Sequence, residues 1–498
     1  MFSLRQQKRG LSLIFLALLC GAATVLAFAP AGQYPLAFIT FAVLIHLWMR
    51  GSPGACFRIG FAFGLGLFGV GVSWVYVSLS RFGGMPPPLA AFATLCFCAL
   101  LALFPAAAGW LQARFPARDA WRAAVLIPAA WVLLEWLRSW VLGGFPWLSA
   151  GYAAVGWPVQ GLGPLTGVFG MGFATLMLAG LLWILARQRP RWTALAAIVA
   201  VLAASQALQL VEWTRPQGDR FAAALLQGNI AQDLKFQPER YQRILETYAR
   251  LVDETRARLI VLPETALPRL HDRVEPAYYA RLEAAARRNG GDILIGVPYH
   301  AGPGEYYNSV ITLGASPRQV YHKRHLVAFG EFVPPGFAWA MRWLSIPFSD
   351  FSRGDVRQAP LAVAGQSVAV NVCYEDAFGD EIIRALPQAS ILVNLSNVAC
   401  FGDSLAPSQH LQIARLRAIE TGRMHLTATN SGVTAVIGTD GAVLARLPSF
   451  TEGRLVWAAQ GYAGMTPYAR LGDWPAVILC LLALAAAAAL ARGRAASG

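Results

Sequence analysis

Eight apolar stretches, each close to the length of a membrane span, constrain this chain more than any other feature. A transmembrane helix needs about 20 mainly apolar residues. The candidate segments are Leu11–Phe28, Tyr34–Met49, Ile59–Leu79, Pro88–Leu111, Trp121–Leu137, Gly161–Ala186, Trp192–Leu210 and Trp474–Ala491. Seven precede a long polar stretch and one follows it. The sequence therefore predicts seven transmembrane helices in 1–211, a separate domain in 212–470, and an eighth helix with a tail in 471–498.

The first apolar stretch has an alternative interpretation as a cleaved signal peptide, because Arg5, Lys8 and Arg9 precede it. The run Leu18-Leu19-Cys20-Gly21 resembles a lipoprotein cleavage signal. Leu19 is too large for the small residue expected there, however, and no Ala-x-Ala-like cleavage site follows. We expect a retained helix.

The distribution of charge favours a membrane protein over a nucleic-acid-binding one. Of the 498 residues only 14% are charged, against about a quarter in soluble domains. The formal charge is +14, but 216–466 hold 24 Lys and Arg against 23 Asp and Glu. The remaining basic residues flank the apolar segments, which is the pattern of the positive-inside rule rather than of a phosphate-binding face.

The same rule predicts an orientation. With a cytoplasmic N-terminus, the short outer loops contain only Arg81 and Arg138, whereas thirteen flanking basic residues lie at the inner ends. The polar domain then faces outward, and the last helix returns the C-terminus to the cytoplasm. In a bacterium the outer side is the periplasm.

The polar stretch predicts an α/β domain, because short β-type runs alternate with helical patterns. The predicted strands are Phe221–Leu226, Leu259–Leu262, Ile293–Val297, Ser309–Leu313, Val368–Val372, Ser390–Val393, His425–Ala428 and Thr434–Ile437. The predicted helices are Pro238–Arg256, Glu275–Asn289 and Ser408–Gly422. The stretch Gly330–Phe348 is predicted to be a long loop with exposed apolar groups, suited to contact with lipid.

Three residues of this domain suggest nucleophilic catalysis: Glu264 and Cys373, each after a predicted strand, and Lys323. A carboxylate takes the proton of a thiol, and an ammonium stabilises the thiolate and a developing oxyanion. Taken alone, each residue also fits a non-catalytic role. Glu264 could be a helix cap, Lys323 a solvated surface lysine and Cys373 an inert core thiol. Cys373 and Cys400 could form a disulfide in an oxidising compartment. The cysteines and histidines show no spacing typical of a metal site.

Longer motifs around these residues resemble a known family. Val261-Leu262-Pro263-Glu264, Lys323 with Phe329–Pro334, and Cys373-Tyr374-Glu375 resemble the Glu-Lys-Cys triad of the nitrilase superfamily. Over nearly its whole length the chain resembles the membrane branch of that superfamily, the bacterial apolipoprotein N-acyltransferases. The further motifs are Glu135–Arg138, Gly144–Trp147, His325–Glu331, Asn394–Asn397, Ser408–Leu411, Arg415–Arg423 and Ala428–Gly432.

The resemblance implies a multi-pass enzyme of the bacterial inner membrane, with a periplasmic catalytic domain folded as a nitrilase-like αββα sandwich. Its reaction would acylate the α-amine of the N-terminal S-diacylglyceryl-cysteine of apolipoproteins. The acyl chain would come from a phospholipid, with phosphatidylethanolamine as the expected donor, through a thioester on Cys373. The resemblance implies a monomer without cofactor, metal or nucleic acid.

The family's residue roles transfer to matching positions. Cys373 is the expected nucleophile, Glu264 the general base and Lys323 the electrostatic stabiliser. The expected supporting positions are the backbone N–H of Tyr374, for the oxyanion, and the carboxylates of Glu331 and Glu375. Either carboxylate could instead bind backbone or orient Lys323. The expected substrate-binding residues are Phe236, Trp339 and Trp343.

The sequence departs from the family at two places. Phe236 stands where the family usually has Trp, and Asn397–Gly402 reads Asn-Val-Ala-Cys-Phe-Gly in place of Asn-Asp-Ala-Trp-Phe-Gly. We expect Cys373 to remain a free thiol and Cys400 to serve in packing. Two other functions stay open: a membrane-tethered amidase with the same triad, and a catalytically silent lipid- or lipoprotein-binding protein. A transporter is disfavoured, because the spans lack charge apart from Glu135, which lies near a helix end beside Arg138 and is expected to pair with it there.

Overall fold

The chain forms two compact units. The structure, a computed structural model, describes residues 2–188, 191–333 and 350–496. One unit contains Met1–Tyr76, Pro88–Val211 and Leu471–Gly498, and the other contains Val77–Pro87 and Glu212–Arg470.

The first unit is built from helices joined by loops in its described residues. Its α-helices are Phe2–Thr24, Pro35–Trp48, Pro53–Gly71, Pro87–Ala113, Asp119–Trp121, Ile127–Arg138, Ala150–Ala153, Gly163–Arg187, Arg191–Leu208 and Trp474–Ala496. The first segment of this unit ends at Tyr76, within the short helix Trp74–Val77. In the described part of the chain, seven helical segments are long and apolar enough to cross a membrane. Many large apolar side chains on them point outward, among them Leu11, Phe92, Trp192 and Leu482. Such a surface needs lipid rather than water around it, so the protein is a membrane protein.

Two predicted spans differ from the structure. The predicted segment Tyr34–Met49 is a helix of 14 residues, Pro35–Trp48, which is shorter than the other seven. The predicted segment Ile59–Leu79 begins earlier, as Pro53–Gly71. The earlier start has a physical cause, since the Ser52 hydroxyl accepts the Ala55 N–H at 3.4 Å and proline suits the first helical position.

The second unit contains two six-stranded sheets. Its described strands are β1 Thr214–Gln227, β2 Leu259–Val261, β3 Asp292–Gly302, β4 Glu305–Gly314, β5 Val320–His322, β6 Leu361–Val363, β7 Gln366–Val372, β8 Ile391–Ser396, β9 His425–Thr429, β10 Ala435–Ile437, β11 Val443–Arg446 and β12 Gly453–Gly464. The strand orders are β12-β1-β2-β3-β4-β5 and β11-β10-β9-β8-β7-β6. At the centre of each sheet, β1-β2-β3 and β7-β8-β9 run parallel, and the outer strands are antiparallel.

The two sheets pack face to face around one apolar core. This core joins side chains of both sheets, for example Val261 and Leu294 from the first and Val370, Val393 and Leu426 from the second. The other face of the first sheet is covered by the helices Tyr241–Asp253 and Pro276–Arg288. The other face of the second sheet is covered by Gly379–Ile382 and Ala406–Thr421. The unit is therefore an αββα sandwich, and the short helix Pro467–Leu471 closes its C-terminal end.

The predicted elements of this domain correspond to observed ones, with boundaries shifted by a few residues. The strands β5, β6, β11 and β12 are additions that the β-type runs did not indicate. Most of the predicted loop Gly330–Phe348 lies outside the described residues.

Candidate functional site

The carboxyl ends of three strands bring the predicted triad to one place in the sandwich. Glu264 follows β2, Lys323 follows β5 in the same sheet, and Cys373 follows β7 in the other sheet. Gly296 on β3 makes the turn at Glu264 possible, because a Cβ there would lie 2.5 Å from the Pro263 carbonyl oxygen. The strand ends therefore converge as expected for an α/β site.

Glu264 is buried, and both of its carboxylate oxygens are engaged. Oε1 accepts the side-chain amide of Asn308 at 2.7 Å and lies 3.4 Å from Lys323 Nζ. Oε2 accepts the backbone N–H of Asn397 at 2.8 Å. These contacts hold the carboxylate in one orientation, as a general base requires.

Lys323 is 1% exposed and lies between two carboxylates. Its Nζ is 2.8 Å from Glu331 Oε2 and 2.9 Å from Glu331 Oε1, closer than to Glu264. Glu331 Oε2 in turn accepts the Val327 N–H at 2.9 Å. The ammonium is thus fixed in direction by Glu331, with Glu264 as its second partner.

Cys373 has a strained backbone. Its φ is 53°, in the left-handed region that non-glycine residues seldom adopt. Such strain costs about 1–3 kcal/mol and persists only where the surroundings impose it, which is common at active sites. The Cys373 carbonyl accepts hydrogen bonds from Asn394 Nδ2 and His410 Nε2, both at 3.1 Å.

The charges of the site couple the three groups. Burial and the Glu264 carboxylate raise the pKa of Cys373 well above its ordinary value, although Lys323 opposes them. Burial would raise the pKa of Glu264, but Lys323, Asn308 and Lys235 outweigh it and hold that pKa below its usual range. Burial would lower the pKa of Lys323, but Glu331 and Glu264 hold it above the usual value. The resting site therefore contains a neutral thiol, a carboxylate and an ammonium.

The sequence left open whether Glu331 and Glu375 orient Lys323 or bind backbone, and the structure gives one role to each. Glu331 orients Lys323 through its 2.8 Å contact. Glu375 binds backbone: its oxygens accept the N–H groups of Val372 at 2.7 Å, Arg324 at 2.7 Å and His325 at 3.1 Å. It thereby ties the end of β7 to the segment after Lys323.

The remaining predicted residues are placed as follows. Tyr374 packs against Phe378, with ring centroids 5.2 Å apart, and against His325. Phe236 is half-buried, next to the buried Lys235. Trp339 and Trp343 lie outside the described residues. Their predicted substrate contacts stay predictions.

Two site residues were not singled out from the sequence. Lys235 is 2% exposed, and its Nζ donates to the Glu264 carbonyl oxygen at 3.1 Å. Burial lowers its pKa to about 8, despite the nearby Glu264, Cys400 and Cys373. Asn308 bridges Glu264 and Glu331 through one amide nitrogen. Lys235 precedes Phe236 and Asn308 precedes the predicted strand Ser309–Leu313, but polar residues of this kind are common, and only their burial distinguishes them.

Both cysteines of the domain are free thiols. Cys400 is half-buried in the turn after β8, where its Sγ lies 4.0 Å from the Asn397 carbonyl oxygen. Burial raises its pKa to about 12. Among the described residues, no cluster of His, Cys, Asp and Glu is arranged to hold a metal ion.

Comparison with known proteins assigns families to both parts of the chain. Residues 20–181 match the family described as "Apolipoprotein N-acyltransferase N-terminal domain", and residues 222–468 match "Carbon-nitrogen hydrolase". Among solved structures, an amidase of the nitrilase superfamily from Nesterenkonia AN1 aligns with a TM-score of 0.38 at 20% identity, covering 51% of this chain and 95% of that one. A carbon-nitrogen hydrolase from Helicobacter pylori G27 aligns with a TM-score of 0.37 at 20% identity, covering 52% and 94%.

Similar relatives extend over nearly the full length. An apolipoprotein N-acyltransferase from Nitrosomonas europaea is 47% identical over 483 residues, covering 95% of this chain and 97% of the relative. Relatives with the same name from Methylococcus capsulatus and Ralstonia nicotianae are 45% and 44% identical, covering 94% and 96% of this chain, and 94% and 93% of their own lengths. With apolar helices, an αββα sandwich of the carbon-nitrogen hydrolase type and this coverage, the chain belongs to the apolipoprotein N-acyltransferase family.

Proposed function

We propose that this membrane acyltransferase moves an acyl chain from a phospholipid to the α-amine of the N-terminal S-diacylglyceryl-cysteine of lipoproteins. Membership of the family supports the reaction class. For this chain, one observation carries the proposal: Glu264 and Lys323 form a buried ion pair, and their charges shift the pKa of the Cys373 thiol. A thiol, a base and an ammonium suffice for acyl transfer through a thioester.

In the first half-reaction, Glu264 takes the proton of the Cys373 thiol as the sulfur attacks the ester carbonyl carbon of the phospholipid. The oxyanion is stabilised by the Lys323 ammonium and the Tyr374 N–H. The ester C–O bond then breaks, Glu264 returns the proton to the departing oxygen, and lysophospholipid leaves. The acyl chain remains on Cys373 as a thioester.

In the second half-reaction, the neutral α-amine of the lipoprotein attacks the thioester carbonyl. Glu264 removes a proton from the attacking nitrogen, the C–S bond breaks, and the proton passes to the Cys373 sulfur. An amide is formed and the free thiol is regenerated, which is a ping-pong cycle. Water must be kept from the thioester, or the enzyme would act as a phospholipase.

We also propose the arrangement that this chemistry requires. The apolar segments within 1–211 and 471–498, eight in all, would cross the bacterial inner membrane with both termini in the cytoplasm. Residues 212–470 would form a periplasmic catalytic domain. Because both substrates are anchored in lipid, such a monomer can meet them at one thiol near the bilayer surface.

The test is transfer itself. The purified full-length protein in detergent is incubated with phosphatidylethanolamine and a synthetic diacylated lipopeptide, and the peptide is weighed by mass spectrometry. We expect the lipopeptide to gain the mass of one acyl chain and to have a blocked N-terminal amine. With the Cys373→Ala variant, the lipopeptide should gain no acyl chain. If the lipopeptide stays unmodified while a soluble amide is hydrolysed, the membrane-tethered amidase replaces this proposal.

A further inference from the structure

The carbonyl group of Cys373 is held by two side-chain donors. His410 Nε2 and Asn394 Nδ2 each lie 3.1 Å from its oxygen. A carbonyl oxygen only accepts hydrogen bonds, so His410 must carry its proton on Nε2. His410 is 3% exposed and lies on the helix Ala406–Thr421.

Fixing this carbonyl also fixes the next amide. The peptide bond between Cys373 and Tyr374 is trans, so its C=O and N–H lie in one plane and point in opposite directions. Two hydrogen bonds on the oxygen therefore aim the Tyr374 N–H away from His410 and Asn394. Accepting hydrogen bonds at the oxygen also polarises the amide and strengthens its N–H as a donor. The positive φ of Cys373 makes such an anchor necessary, because this conformation does not persist without support.

His410 is itself supported by a buried chain of polar groups. Asp376, which is fully buried, lies 3.7 Å from His410 Nε2 and accepts a hydrogen bond from His425 Nε2 at 3.0 Å. Thr427 Oγ1 lies 3.0 Å from His425 Nδ1. Burial lowers the pKa of His410, so its ring stays neutral with the Nε2 proton in place.

We propose that His410 is a positioning residue: with Asn394 it clamps the Cys373 carbonyl and so aims the Tyr374 N–H at the oxyanion formed during acyl transfer. This inference rests on the proposed function, in which Cys373 is the nucleophile. His410 does not touch the reacting atoms. It acts through the peptide bond between Cys373 and Tyr374.

The test compares two reactions of the same thiol in the full-length protein. Acylation by phosphatidylethanolamine needs the oxyanion donor, whereas alkylation by iodoacetamide does not. In His410→Met, which removes the donor at similar size, we expect the single-turnover acylation rate to fall by about 10- to 100-fold, a part of what losing an oxyanion donor costs. The alkylation rate should stay within about two-fold, because the thiol is unchanged. His410→Gln, which restores an N–H at similar reach, should recover much of the rate.

Two further variants make the result decisive. Leu411→Ala is the matched control, because Leu411 is on the same helix but packs with Ala414, Ala418 and Ile437. It should leave both rates near those of the wild type. Asn394→Leu removes the second donor at similar size and should repeat the pattern of His410→Met, which also covers the case that His410→Met fails to fold.

Equal acylation rates in His410→Met and the wild type would overturn the proposal, as would a parallel fall of acylation and alkylation. Failure of the proposed function looks different. In that case the wild type itself forms no acyl-enzyme on Cys373.

Discussion

The Lys323 ammonium lies 2.8 Å from Glu331 but 3.4 Å from Glu264. Glu331 is therefore the main counter-charge of Lys323. Glu264 is its second, more distant partner, and the ammonium still holds the pKa of that carboxyl below its usual range. Lys323 therefore lies between two carboxylates at unequal distances.

The first prediction removes this counter-charge. In Glu331→Gln the ammonium loses the closer of its two ion-pair partners in the described residues and should pair more closely with Glu264, which makes Glu264 a weaker base. We expect the single-turnover acylation rate to fall on the order of 100-fold, the scale of losing one catalytic contribution. Glu331→Asp, which keeps the charge, should lose less. A Gln variant within threefold of the wild type would show that Glu331 is only structural.

The second prediction concerns the thiol. The Glu264 carboxylate raises the pKa of Cys373, so Glu264→Gln should lower it. The pH midpoint of Cys373 alkylation by iodoacetamide should therefore move to lower pH, although acylation is lost. A midpoint that moved to higher pH would contradict the arrangement of charges described here. Glu283→Gln, on the surface of the domain, serves as the control for charge removal.

The third prediction concerns Lys235, which helps to hold the pKa of Glu264 below its usual range. A carboxylate acts as a base only above its pKa and loses this activity as the pH falls through that pKa. A lowered pKa therefore extends the activity to lower pH. In Lys235→Met the pKa of Glu264 should rise, so the acidic limb of the pH–rate profile should move to higher pH. Lys235→Arg should retain the limb of the wild type. The comparison is made below pH 8, where Lys235 carries its charge, and an unmoved limb in the Met variant would refute this role.

The fourth prediction concerns Cys400. Burial raises its pKa to about 12, so it is a neutral, unreactive thiol at physiological pH. Cys400→Ser should retain acyl transfer within about threefold, the range of a small packing change. Treatment of the wild type with a reducing agent should not raise its activity. Activation by the reducing agent, absent in Cys400→Ser, would instead reveal a disulfide with Cys373.

Local patterns predicted most of the architecture but not the contacts that tune the site. The runs Leu259–Leu262 and Val368–Val372 are apolar except for Asn371, because both faces of their strands are buried, and the residues that follow them include Glu264 and Cys373. Strand β12 escaped prediction because its partner β1 lies more than 200 residues away, and only three of its twelve residues are buried.

The interactions of Lys235, Asn308 and His410 could not be predicted either. Each is a common polar residue whose role follows from burial and from a partner distant in the chain. No local periodicity carries that information. The contrast between Glu331 and Glu375 has the same origin, since it depends on whether Lys323 or backbone N–H groups face the carboxylate.

The mass of the peptide that contains Cys373 shows whether this thiol carries the acyl chain between the two half-reactions. The purified protein is incubated with phosphatidylethanolamine in detergent, without an acceptor lipopeptide, and digested. We expect an acyl chain on Cys373 that hydroxylamine removes, absent from Glu264→Ala and Cys373→Ala, and lost when a diacylated lipopeptide is added. An unmodified Cys373 in the wild type under these conditions would mean that the protein does not transfer acyl chains through this thiol.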